Sequence, residues 1–84
     1  MISMTLHEVA HNGNLEEVKA LLTDKPDLVF SKDNIGYTPL HYASSQGHLE
    51  VAELLLANKA EIDARAAEGV TPLHLAAMNG STRM

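Results

Sequence analysis

Three histidines recur in register along the chain, His7, His41 and His74. Histidine is the usual side chain for holding a metal or moving a proton near neutrality, so chemistry would first be sought here. A shared zinc needs each nitrogen within about 2 Å of the ion, whereas packed helices lie about 8 to 10 Å apart, so imidazoles supplied once per repeated unit are too far apart to share one. The spacing favours another use. His41 and His74 each follow a threonine by three residues, Thr38 and Thr71. From there an imidazole can bond the threonine hydroxyl or the backbone of a neighbouring loop and tie units together. His11 and His48 read as exposed residues at helix ends.

Other routes to catalysis find less support. Ser44 and Ser45 lie near a helix end with no Gly-x-Ser-x-Gly turn to present an activated hydroxyl. Glu16, Glu17, Glu50 and Glu53 fall on one kind of helix and read as its solvated face, not as a pair working across a cleft. Gly13, Gly36, Gly47, Gly69 and Gly80 are spaced as punctuation at helix and loop ends, unlike a phosphate-cradling loop. The chain has no cysteine, hence no thiolate nucleophile, disulfide or Cys-ligated zinc. No catalytic residue, metal site or cofactor is predicted.

The elements that must carry these residues are few. Eighty-four residues make one small domain, and 45% apolar with 20% charged residues fits a packed protein. Phe30, Tyr37 and Tyr42 are its only aromatics besides histidine, and the remaining apolar set suits thin layers of closely packed helices. Six basic against eleven acidic residues give a net charge of −5, which repels phosphate backbones and anionic lipid. The aliphatic run Leu54 to Ala57 is far short of the roughly 20 residues of a membrane span, and Met1 to Leu6 has no signal-peptide pattern. These features predict no nucleic-acid partner, no membrane association and a chain compatible with the reducing cytoplasm.

Thr38-Pro39-Leu40-His41-Tyr42-Ala43 returns 33 residues later as Thr71-Pro72-Leu73-His74-Leu75-Ala76. Gly13-Asn14-Leu15-Glu16 matches Gly47-His48-Leu49-Glu50 at an offset of 34, the extra residue lying near Lys25-Pro26-Asp27. Thr38 before Pro39 reads as a helix cap followed by proline at the first helical position, and Gly47 can take the left-handed conformation that ends the helix near Gln46. A second helix starts at Leu49, with Leu49, Ala52, Leu55 and Leu56 at helical spacing. The equivalent helices of the first copy are Thr5 to Asn12 and Leu15 to Thr23; the third copy retains only Pro72 to Asn79. The segments Phe30 to Tyr37 and Asp63 to Val70 read as turns or short hairpins.

Through Thr-Pro-Leu-His-x-Ala, Gly-His-Leu-Glu, the Leu-Leu-Leu run and the period, the whole chain resembles the ankyrin repeat family. The resemblance implies an all-α solenoid of stacked antiparallel helix pairs linked by short β-hairpin loops, about two and a half repeats long. Its units would span about residues 4–36, 37–69 and 70–84. Departures are informative. Glu17 and Ala20 stand where the second unit has Val51 and Leu54, as suits an N-terminal cap. Lys59 replaces a helix-closing glycine and Ala66 replaces the aspartate present at Asp33, so the second loop is expected to be less rigid than the first.

The implied function is non-enzymatic protein binding through loop tips and the faces of first helices. The matching positions are His11, Asn12, Asn34, Ile35, Tyr37, Ser45, Gln46, Ala67, Glu68, Val70, Met78 and Asn79. Ile35 and Tyr37 are the best hot-spot candidates, unless they pack against the adjacent hairpin; Tyr42 reads as partly buried between units. Two other readings remain open: a cap or spacer of a longer array, and a regulatory module of a larger enzyme. The third unit's missing second helix predicts an apolar C-terminal face through which the chain could self-associate.

Overall fold

A computed structural model describes residues 5–78 of the chain. Its elements are α1 (Leu6–Asn12), α2 (Leu15–Asp24), a 3-10 helix (Pro26–Phe30), α3 (Pro39–Ser45), α4 (Leu49–Ala57), a short 3-10 turn (Ala67–Gly69) and α5 (Pro72–Met78).

The helix starts follow the local chemistry. Thr38 caps α3, its hydroxyl accepting the His41 N–H, and Pro39 occupies the first helical position. Thr5 caps α1 in a reciprocal box with Glu8. Asn14 caps α2 by accepting the Glu17 N–H. Gly13 closes α1 at φ 74°, a left-handed position in which a side chain would be strained. Lys59, in the place of a closing glycine, is forced to φ 75°.

The first helices α1, α3 and α5 stand side by side and make the broadest inter-element contacts, while α2 and α4 back them as a second layer. Leu6, Val9, Ala10, Leu40, Ala43, Val51, Ala52 and Leu55 are buried between these layers. Glu17 and Ala20 are exposed, whereas Val51, at the position of Glu17 in the next unit, is buried.

Three features differ from the sequence expectation. No strand forms among the described residues. Each loop closes instead as a tight turn with one bond across its mouth, Asp33 N–H to Tyr37 O at 3.0 Å and Ala66 N–H to Val70 O at 2.8 Å. The lengthened connection of the first unit is wound into the Pro26–Phe30 3-10 helix, which buries Val29. His48 is half-buried rather than an exposed helix end, with its Nε2 donating to His11 O at 2.9 Å. Gly13 makes room for that ring: a Cβ there would lie 2.6 Å from it.

Candidate protein-interaction site

The repeated histidines join one unit to the next. His41 Nδ1 accepts the Thr38 N–H at 3.0 Å and its hydroxyl at 2.8 Å, while Nε2 donates to Val70 O of the following loop at 2.9 Å. Both nitrogens are therefore committed in the neutral ring. Burial pushes the His41 imidazole below its ordinary 6.5, against the carbonyls of Val70 and Ala64, which favour the charged form. His7 does the same for the preceding junction, its Nε2 lying 3.1 Å from Ser31 O and 2.9 Å from Tyr37 O. His74 keeps the local half of the arrangement, with Nδ1 accepting from Thr71.

These bonds hold the first loop against α3. The Asp33 carboxylate accepts the Ile35 N–H at 3.1 Å and the Tyr37 N–H at 2.9 Å through Oδ1, and the Tyr42 hydroxyl donates to Oδ2. Burial pushes the Asp33 carboxyl up, but the bonds from Tyr42, Tyr37 and Ile35 outweigh it and hold the group below 3.8. The Tyr42 phenol is pushed up to about 12, first by its bond to Asp33 and then by burial.

Around this pair the rings gather. Tyr37 stacks on His41 with centroids 5.0 Å apart and tilts against Tyr42 at 5.4 Å. His7 and His11, one turn apart on α1, meet Tyr42 edge-on at 5.6 and 6.0 Å. The result is an aromatic ridge beside an open groove of about 850 Å³ that runs along the front of α1.

Of the expected contact residues, His11 and Asn12 are exposed at the end of α1, Asn34 and Ile35 are exposed at the loop tip, and Gln46 is exposed beyond α3. Ile35 is 51% exposed. Tyr37 is half-buried in the ring cluster, and Ser45 is half-buried with its hydroxyl donating to Tyr42 O. Glu68 is exposed in the second loop and Val70 is half-buried, its carbonyl taken by His41. Ala67 lies in the second turn and Met78 ends α5, while Asn79 falls outside the described residues. The structure thus brings His11 to Tyr42, and Ile35 and Tyr37 to the Asp33 carboxylate; of the second loop's candidates, Val70 meets the same ring cluster through His41.

Asp33 and Tyr42 organise this region although the sequence reading gave neither a contact role. Their signal was the change at the next repeat, where Ala66 and Leu75 stand 33 residues on.

Comparison with known proteins follows the same lines. A family model described as ankyrin repeats, three copies, matches residues 3–66, and a single-repeat ankyrin model matches residues 68–84. The chain is 37% identical over 71 residues to the Transient receptor potential cation channel subfamily A member 1 homolog of Caenorhabditis elegans, covering 84% of this chain and 6% of that protein. It is 38% identical over 76 residues to the E3 ubiquitin-protein ligase XBAT32 of Arabidopsis thaliana, covering 89% of this chain and 15% of the relative. To human Protein phosphatase 1 regulatory subunit 27 it is 40% identical over 70 residues, covering 83% and 45% respectively. The chain therefore spans less than half the length of each of these relatives. Ankyrin repeats are protein–protein interaction modules, and with the capped helix pairs, the histidine ties and the matched models in agreement, the chain belongs to the ankyrin repeat family.

Proposed function

We propose that the chain acts without catalysis, binding a protein partner along the first loop tip and the adjoining faces of α1 and α3. The observation that carries this reading is the exposure of Ile35 and Asn34 on a loop pinned by Asp33, Tyr42 and His7. A pinned loop loses little conformational entropy on binding, so its apolar tip can contribute affinity directly. No helix among the described residues is long and apolar enough to cross a membrane. The net charge of −5 favours a protein over a nucleic-acid partner, and the cytoplasm is the compartment we assign.

Capture by the intact chain, with quantitative mass spectrometry of what is retained, tests this reading. A partner retained in fixed stoichiometry should be lost with Ile35→Asp and kept with Glu53→Lys on α4. Loss with Glu53→Lys alone would place binding on the second helices, and retention of no partner would contradict the reading.

A second reading is favoured by α5, on which Leu73 is 56% exposed and Ala77 is also exposed. It treats this chain as one portion of a longer repeat array or as a regulatory module of a larger protein, the same α5 face serving self-association when the chain stands alone. The outer side of unit one, with Glu17 and Ala20 in solvent, then serves as an N-terminal cap. Light scattering across a concentration series separates these uses: a monomer at every concentration contradicts self-association.

A further inference from the structure

We propose that the groove beside Tyr42 seats a cationic side chain, arginine or lysine, carried by an extended segment of the protein partner. The inference rests on the protein-binding reading above and supplies the chemistry that the partner must present.

The groove of about 850 Å³ is lined by Tyr42, His7 and His11 as its aromatic wall and by the carboxylates of Glu8 and Asp33. Lys32 lines the groove as well, a charge of the same sign as the proposed guest, and Leu6, Leu21 and Leu28 supply apolar lining. Glu8 is fixed there because its Oε1 accepts the Thr5 N–H at 3.0 Å. Asp33 is held as a carboxylate by its bonds from Tyr42, Tyr37 and Ile35. Two anchored carboxylates beside the Tyr42 ring complement a cation in two ways: the phenol ring attracts it through its quadrupole, and the carboxylates accept its N–H donors. The net charge of −5 adds a long-range attraction of the same sign.

The fold itself does not demand this wall. At the next junction Leu75 replaces Tyr42 and Ala66 replaces Asp33, yet the loop closes through the equivalent backbone bond, Ala66 N–H to Val70 O. His7 is needed as a tie between units, but a tyrosine on α3 set against it and His11 is in excess of what the repeat needs to stand.

The test uses the intact chain and three probes, acetyl-Gly-Arg-Gly-amide, its neutral citrulline isostere and the corresponding glutamate peptide, followed through the ring resonances of Tyr42, His7 and His11. Saturable shifts are expected with the arginine peptide, about tenfold weaker binding with citrulline, and none with glutamate. Tyr42→Leu should weaken the arginine peptide by about tenfold. Glu8→Gln, which keeps the cap because glutamine serves equally in the box, should weaken it by about threefold and decides the matter if Tyr42→Leu fails to fold. Lys32→Gln should tighten it. Equal binding of the arginine and citrulline peptides, or no saturable shift by about 10 mM arginine peptide, overturns the proposal. Neither result alters the capture experiment: a partner lost with Ile35→Asp still supports protein binding, through shape without a cation.

Discussion

The two junctions between units differ at a few positions. In the first, Asp33 accepts two backbone N–H groups and a phenol, and Ile35 needs no unusual backbone. In the second, Ala66 offers no acceptor, and Glu68 turns to φ 61° before Gly69 completes the turn. The carboxylate holds the central amide of the first turn inwards; without it the turn reaches the same closure through a left-handed glutamate, at a cost of about 1 kcal/mol. One recurring motif therefore yields a bonded loop and a strained one. The bonded one is the loop that presents a stiff apolar tip.

The largest predicted contrast lies in the motif leucines. Leu40 is fully buried and Leu73 is 56% exposed, although both follow Thr-Pro. Leu40→Ala should cost about 2 to 5 kcal/mol in urea unfolding, whereas Leu73→Ala should change stability by no more than about 0.5 kcal/mol. Similar losses at both positions would mean that the two faces are equally covered.

The histidines come next. His41→Ala leaves the Thr38 N–H without its partner and removes the tie to the Val70 carbonyl, which keeps only the Ala66 N–H, and should cost about 2 to 3 kcal/mol, while His74→Ala, which removes only a local cap, should cost under about 1 kcal/mol. Because the folded His41 titrates below its unfolded 6.5, the unfolded chain binds more protons between those values. Stability should therefore fall as pH drops below about 6.5, and His41→Ala should remove that part of the dependence. Asp33, also lowered in the fold, adds a second loss as pH falls through and below 3.8. A flat thermal stability from pH 7.5 to 5 would contradict the buried neutral ring.

Smaller effects refine the comparison. The Ser44 hydroxyl is buried with no hydrogen-bond partner among the described residues, where the neighbouring units carry Ala10 and Ala77. Ser44→Ala should raise stability by about 1 kcal/mol in thermal melts. Ala66→Asp, giving the second loop the acceptor of the first, and Glu68→Gly, relieving its left-handed residue, should each add about 0.5 kcal/mol. If Ala66→Asp instead destabilises, the carboxylate does not set the turn.

Sequence patterns local to a few residues carried most of this architecture. Thr38-Pro39 marked α3, Gly13 and Gly47 marked helix ends, and the threonine-to-histidine spacing foretold His41's bonds, because capping and left-handed closure depend on neighbours in the chain. His48 was misread because its partners, Gly13 and the His11 carbonyl, lie in another unit. The groove was missed for the same reason: it joins Glu8 and His11 of α1 to Asp33 and Tyr42 of the next unit. The expected hairpins became turns because one cross-loop bond is too little for a ladder.

On the function proposed above, the aromatic and acidic side of the first junction serves recognition, while the repeat can close without Tyr42 and Asp33. The direct measurement is the affinity of the captured partner for Tyr42→Leu, the residue that the next repeat carries at Leu75. About thirtyfold weaker binding, with helical circular dichroism kept, is the predicted result. Unchanged affinity in that folded variant would contradict the account.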